Sequence, residues 1–300
     1  MNKTCVIISG PTAVGKTSLA IRVAQHFNTE IISADSRQCF RELNIGVAKP
    51  SREELNAVKH HFINSHSIHD EVNAATFEQF ALSAIHSIFQ QNDIAVMTGG
   101  TGLYIKAFCE GIDTIPPVLP GIREAIMAEL ERSGLPWLQQ RVQQEDPQYY
   151  ASGEIHNPQR LARALEVIRS TGRSIRSFQQ GKKTTRNFRI ISTALELPRE
   201  QLHANINRRV DDMLREGLVE EVKALLPARH LNALQTVGYT EIFDCLDGKQ
   251  TLEQAAELIK KNTRQYAKRQ MTWFRRDTNI KWFSPYDFRD IIDHSQANFQ

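Results

Sequence analysis

Gly10-Pro11-Thr12-Ala13-Val14-Gly15-Lys16-Thr17 is the segment that most restricts what this chain can fold into. The apolar run Cys5–Ser9 leads into it, and the helix-forming stretch Ser18–Ala24 leaves it. Strand, glycine-rich turn and helix start, in that order, make a phosphate-binding loop. The glycines let successive backbone N–H groups converge on one anion, and the helix N-terminus adds the positive end of its dipole. Lys16 brings a mobile cation, and Thr17 can present a hydroxyl to a magnesium ion, as in loops that hold ATP and related polyphosphates. Gly10–Thr17 therefore predicts a polyphosphate ligand without saying which reaction follows.

Strand-like runs recur at Cys5–Ser9, Glu30–Ala34, Ile94–Thr98 and Ile190–Leu195, with helical patterns at Lys16–Phe27 and Thr76–Gln90 between the first three. This alternation predicts an α/β fold: a parallel sheet of the P-loop NTPase-like kind flanked by helices, with the site at the C-terminal ends of the strands. The proline-rich break Ile115–Gly121 reads as a linker, and only helical patterns follow it, at Ile122–Ser133, Pro136–Glu145 and Pro158–Thr171. We therefore expect a catalytic core from residues 1–115 and 186–300, interrupted by an all-helical insertion over 116–185. Beyond Leu197 the patterns are helical again, at Arg199–Leu226, Gly238–Leu246 and Thr251–Arg276.

Net charge is only +3, so global charge identifies no partner. Its distribution says more: Leu258–Arg276 contains bases and no acid, and Asn157–Ile190 is basic but for Glu166. Such stretches are solvated helix faces or footprints on a polyanion. On the last helix, Lys260, Lys261, Arg264, Lys268 and Arg275 share one arc, expected to face solvent or a phosphate backbone, while Ile259, Tyr266, Trp273 and Phe274 face the core. Cys5, Cys39, Cys109 and Cys245 form no paired spacing, which speaks against a zinc site or a disulfide framework. No run reaches membrane-spanning length, so no membrane partner is expected and a cytoplasmic setting fits.

The second strand runs into Asp35-Ser36-Arg37-Gln38. An acid there serves as a magnesium ligand, a general base or a helix cap, and position alone does not decide among them. The third strand ends in Thr98-Gly99-Gly100-Thr101-Gly102 rather than in the magnesium-binding aspartate usual for nucleotide hydrolysis that drives work. Its glycines admit a ligand close to the backbone, and Thr101 offers a hydroxyl.

Taken in order, these segments resemble the tRNA dimethylallyltransferases (tRNA isopentenyltransferases). The resemblance rests on Gly10–Thr17, Asp35–Gln38, Ile45-Gly46-Val47-Ala48-Lys49-Pro50, His60-His61-Phe62 and Gly99–Tyr104. It continues through Arg163-Ala164-Leu165-Glu166-Val167, Gln235-Thr236-Val237-Gly238-Tyr239 and Thr263–Gln270, nearly the whole chain. The zinc finger of some eukaryotic members has no counterpart here, which suggests the bacterial type. The resemblance implies transfer of a dimethylallyl group from dimethylallyl diphosphate to N6 of the adenosine immediately 3′ of the anticodon in tRNA. The phosphate loop (Gly10, Pro11, Thr12, Ala13, Val14, Gly15, Lys16, Thr17) would then hold diphosphate rather than a nucleoside triphosphate, with Mg2+ on Thr17. Asp35 matches the family's base, Thr101 a position at the reacting centre, and Arg209 a diphosphate-binding arginine. The chain departs at Asn205, often arginine in the family, and at Val47, usually threonine.

By the same resemblance, contacts to the tRNA anticodon stem-loop would come from Asp35, Ser36, Arg37, Gln38, Thr101, Arg123, Gln159, Arg160, Leu161, Ala162, Arg163, Gln235, Thr236, Val237, Gly238, Tyr239 and Thr240. A monomer would suffice. The rival readings are an isopentenyltransferase acting on free adenylate, a small-molecule P-loop kinase and a non-catalytic RNA-binding NTPase. The basic stretches disfavour the first, the lack of a recognisable lid arginine cluster the second, and the missing acid after Met97 the third.

Overall fold

The computed structural model describes residues 3–181 and 183–299; Lys182, within the basic stretch, lies outside them. Six strands form one parallel sheet: β1 (Thr4–Ser9), β2 (Ile31–Ser33), β3 (His60–His61), β4 (Ile94–Gly99), β5 (Arg189–Leu195) and β6 (Lys281–Phe283), in the order β3-β2-β4-β1-β5-β6. Every residue of β1 is buried, as expected of a central strand covered on both faces. Alternation then divides its side chains: Cys5 and Ile7 join the apolar layer on one face, Val6 and Ile8 the layer on the other.

The helices of this unit are α1 (Lys16–His26), α2 (Arg52–Ala57), α3 (Ala74–Gln91) and α4 (Gly102–Glu110) before the insertion. The insertion holds α5 (Ile122–Glu145), α6 (Pro147–Ser152) and α7 (Pro158–Thr171). After it come α8 (Arg199–Arg215), α9 (Leu218–Ala224), α10 (Tyr239–Leu246), α11 (Leu252–Phe274) and α12 (Phe288–Ala297). Where a single helix was expected over Arg199–Leu226, two form: Gly217 takes φ 102°, a left-handed conformation that ends α8 and starts α9. The short strands β3 and β6, with α2, α4, α6 and α12, escaped the pattern reading.

The chain divides into two compact units, Met1–Glu110 with Thr185–Gln300, and Gly111–Thr184. The second therefore starts before Pro116, and Ile115–Gly121 belongs to it rather than serving as a linker. Ile115 packs on its apolar core, and the Leu119 N–H donates to the Ser170 hydroxyl (3.1 Å). Within this unit α5 is two helices joined at a kink, where Gly134 takes the non-helical φ 71°, ψ −175° just before Pro136, in keeping with the two helices expected over Ile122–Ser133 and Pro136–Glu145. Its core holds Ile126, Leu138, Val142, Leu161 and Leu165.

In the larger unit, β2, β4 and β1 are neighbours in the sheet, with Ser9 beside Gly99 and Ser33 beside Thr98. The loops that leave their C-terminal ends, Asp35–Gln38, Gly100–Thr101 and Gly10–Gly15, are thereby brought together, at the edge where ligands bind in open parallel sheets.

Candidate active site

The phosphate loop curls through left-handed conformations at Ala13 (φ 62°) and Gly15 (φ 99°), so that α1 begins at Lys16. Helix α11 holds the loop in place. Gln270 accepts from the Thr12 N–H (2.8 Å) and donates to the Gly100 carbonyl (2.9 Å), clamping the loops after β1 and β4 with one side chain. Lys16 Nζ donates to the Pro11 carbonyl (2.6 Å), and Arg209 Nη1 on α8 donates to the Thr12 hydroxyl (3.3 Å). Neither cation makes an ion pair among the described residues. Burial, reinforced by the Arg209 guanidinium and opposed by Asp35, brings the Lys16 pKa down to about 7. Burial likewise lowers that of Arg209, against the pull of Glu54 and Asp35. Two desolvated basic groups facing one cavity give it a positive potential suited to an anion. Asn205 reaches the same loop, donating to the Ala13 carbonyl (3.3 Å), and supplies no charge there.

Asp35 divides its carboxylate between two tasks. Oδ1 accepts the N–H groups of Arg37 (2.8 Å) and Gln38 (3.2 Å), a turn closed by its own side chain. Oδ2 accepts no hydrogen bond among the described residues. No helix starts here, so Asp35 is not the helix cap that the sequence also allowed: one oxygen closes a turn and the other stays available. The Thr101 hydroxyl accepts from the Ser36 N–H (3.1 Å) and lies beside the Tyr266 phenol. Tyr266, itself raised to about 12 by burial and by Asp35, was expected in the core. Instead its ring is partly exposed, on a face of α11 that lines the site.

Two cavities, each of about 220 Å³, meet here. One is lined by the phosphate loop with Lys16, Thr17 and Ser33. The other is walled by Gly46, Val210, Met213, Thr236–Gly238 and Ile259. Asp35, Thr12, Val47, Ala48, Arg209 and Tyr266 line both. Thr236, Val237 and Gly238 are therefore at the site, whereas Tyr239 is fully buried behind it and Gln235 donates to the Arg229 carbonyl (2.6 Å). Pattern reading assigned no role to Gln270 or Tyr266, although both stand in the segment Thr263–Gln270.

In the helical unit the expected RNA contacts separate. Leu161 and Ala162 are core side chains, buried in the apolar cluster. Gln159 is exposed. Arg123 and Arg163 both bond the carboxylate of Glu166 (3.0 and 3.2 Å), which is only 1% exposed, and Arg160 pairs with Glu154. The basic arc of α11 is also partly consumed. Lys260 pairs with Asp211 (2.8 Å), Arg264 bonds Asn207 (2.6 Å) and Arg275 pairs with Glu196 (3.1 Å), while Lys261 and Lys268 stay exposed.

A parallel sheet with a phosphate loop at the tip of its central strand, and a second cavity meeting the first at a carboxylate, defines an enzyme of the P-loop NTPase-like α/β class. Within that class, residues 38–277 match the IPP transferase family model, and the chain belongs to this family. It is 51% identical to the tRNA dimethylallyltransferase of Christiangramia forsetii over 99% of both chains, and 44% identical to that of Cytophaga hutchinsonii over 100% and 99%. Among solved structures it resembles the tRNA isopentenylpyrophosphate transferase of Bacillus halodurans (TM-score 0.70, 35% identity, covering 98% and 95%). It also resembles a eukaryotic dimethylallyltransferase acting on tRNA (TM-score 0.75, 27% identity, covering 98% and 77%).

Proposed function

We propose that this protein transfers a dimethylallyl group from dimethylallyl diphosphate to N6 of the adenosine immediately 3′ of the anticodon in tRNA. The observation that carries the reading is the junction of the two cavities at Asp35, one formed by the phosphate loop with Lys16 and Arg209, the other by a mixed wall in which Val210, Met213, Val237 and Ile259 stand beside Arg37 and Thr236. The diphosphate of the donor lies against the phosphate loop, Lys16 and Arg209, with its allylic carbon directed toward Asp35. The adenine enters the second cavity, which requires it to leave the anticodon-loop stack.

An exocyclic adenine amine is a weak nucleophile because its lone pair is delocalised into the ring. Asp35 Oδ2 takes its proton as the N6–C1 bond forms, and the C1–O bond breaks with its electron pair passing to diphosphate. Lys16 and Arg209 stabilise the charge gathering on the leaving oxygens. Thr101, held by the Ser36 N–H, fixes the edge of the site beside Asp35.

Among the described residues no cluster of three or more His, Cys, Asp or Glu side chains could hold a metal. A magnesium ion would be held on the protein side by the Thr17 hydroxyl of the phosphate loop, together with the donor's diphosphate. When bound, it neutralises part of the diphosphate charge. No helix among the described residues is long and apolar enough to cross a membrane. We read the protein as acting alone, as a monomer.

The test is incubation with radiolabelled dimethylallyl diphosphate and, separately, unmodified tRNA or AMP. Label entering tRNA and not AMP is the expected result. Label entering AMP moves the acceptor to a free nucleotide, and turnover of ATP with no prenyl transfer returns the kinase reading.

A further inference from the structure

Glu221 lies on α9, outside every motif and away from the phosphate loop, yet its carboxylate is the most heavily engaged near the site. Oε2 accepts the backbone N–H groups of Asn44 (3.1 Å) and Ile45 (2.8 Å). Oε1 accepts the Gly46 N–H (3.1 Å) and the Tyr239 hydroxyl (2.5 Å). Three consecutive amides converging on one anion form the kind of concavity that usually binds a free phosphate or carboxylate. Here a side chain of the protein fills it. The fit is close: a Cβ on residue 46 would stand 2.5 Å from the Tyr239 ring, so only glycine lets the loop lie against that tyrosine.

The groups so tied are walls of the acceptor cavity. Gly46, Val47 and Ala48 form one part of its lining, and Thr236–Gly238, which lead directly into Tyr239, form another. The connection continues to the reacting centre. Gln38 Nε2 donates to the Val47 and Ala48 carbonyls (3.2 and 2.9 Å), and the Gln38 N–H donates to Asp35 Oδ1 (3.2 Å). Nothing in this chain of contacts touches the phosphate loop.

We propose that Glu221 is a positioning residue for the acceptor: its carboxylate ties the Asn44–Ala48 loop to Tyr239, sets the spacing between two walls of the acceptor cavity and, through Gln38, steadies Asp35. The proposal rests on the reading of that cavity as the adenosine site. A merely structural role would loosen the whole unit and weaken both substrates alike; a positioning role falls chiefly on the acceptor, because Gly46 and Thr236–Gly238 line its cavity only, whereas Gln38, Val47 and Ala48 also border the phosphate-loop cavity.

Two variants separate these outcomes. Glu221→Gln turns an amide N–H2 toward backbone donors and breaks part of the set, and Tyr239→Phe removes only the phenol bond. Steady-state transfer to an anticodon stem-loop RNA and equilibrium binding of dimethylallyl diphosphate are measured for each, with thermal melting as the check on folding. We expect kcat/KM for the RNA to fall about thirtyfold in Glu221→Gln and about fivefold in Tyr239→Phe, as for charged and neutral-partner hydrogen bonds. Donor Kd stays within twofold in both. Should Glu221→Gln fail to fold, Tyr239→Phe carries the test. RNA kcat/KM unchanged within twofold, or donor Kd rising in step with it, overturns the inference. A wild-type protein that binds the donor but transfers nothing to RNA overturns the proposed function and this inference with it.

Discussion

The cations of the core unit and those of the helical unit are held in opposite ways. In the helical unit Arg123 and Arg163 converge on the buried carboxylate of Glu166, Arg160 bonds Glu154, and Arg169 bonds Glu145 (2.6 Å). In the core unit Lys16 and Arg209 bond only a carbonyl and a hydroxyl, and burial lowers both pKa values. Paired surface arginines are already satisfied and add little to stability individually. Unpaired, desolvated cations are costly, and an anion placed against them would offset that cost. The positive stretch most conspicuous in the sequence is thus largely neutralised by its own acids, and two cations far apart in the chain line the phosphate-loop cavity without an ion pair among the described residues.

The sharpest way to break this contrast is at the carboxylate beside those cations. Asp35→Asn keeps an oxygen for the Arg37 and Gln38 N–H groups and removes the proposed base. Single-turnover transfer should fall about 10³-fold with donor and RNA affinities preserved, measured by rapid quench and by equilibrium binding. A loss of binding of the same size would make Asp35 structural instead.

The next effect is on the donor. A diphosphate bound against Lys16 favours its charged form and raises its pKa above the value of about 7 in the empty protein. Below pH 7 the ammonium is already present, so binding there needs no proton. Above pH 7 binding must take one up, and donor affinity weakens as pH rises until the bound-state pKa is reached. Calorimetry at pH 8 in buffers of different ionisation enthalpy should report uptake approaching one proton per donor. Lys16→Met should abolish the uptake and weaken donor binding about a hundredfold.

The smallest expected effect on chemistry comes from the helical unit. Arg123→Ala with Arg163→Ala leaves Glu166 buried without a cation. Thermal melting should show a loss of about 2 kcal/mol, discounted because both guanidinium groups are partly solvated. The same variant, assayed below its melting temperature, should lower kcat/KM for RNA only a few-fold and leave donor Kd unchanged. A collapse of donor binding in this variant would erase the distinction between the two units.

Much of the architecture was legible because its causes are local. A continuous apolar run such as Cys5–Ser9 has one comfortable place, the centre of a covered sheet, and Thr251 starts α11 by capping it with its own side chain, whereas α3 is capped by Asn73, ahead of the expected start at Thr76. Short elements lacked any such cause: β3 has two residues, and α2 buries none of its own, so neither carries a periodicity to detect. The arc of a helix could be read, but not what covers it. The apolar side of α11 does pack on the core at Ile259 and Phe274, yet between them Tyr266 faces the cavities. Leu161 and Ala162 illustrate the converse, since a segment matched to RNA contact must still bury its inward face. Glu221 was invisible because three of its partners are backbone amides far away in the chain and the fourth is the buried Tyr239 hydroxyl, which together leave no residue pattern.

The central claim is that donor and acceptor occupy separate cavities that meet at Asp35. Val237 lines the acceptor cavity and not the phosphate-loop cavity, so Val237→Trp tests it most directly. With the cavity filled, prenyl transfer to tRNA should fall about a hundredfold while the Kd for dimethylallyl diphosphate stays within twofold, as expected when a steric block falls on one site only. Loss of donor binding in step with transfer, or transfer at the wild-type rate, would contradict the account.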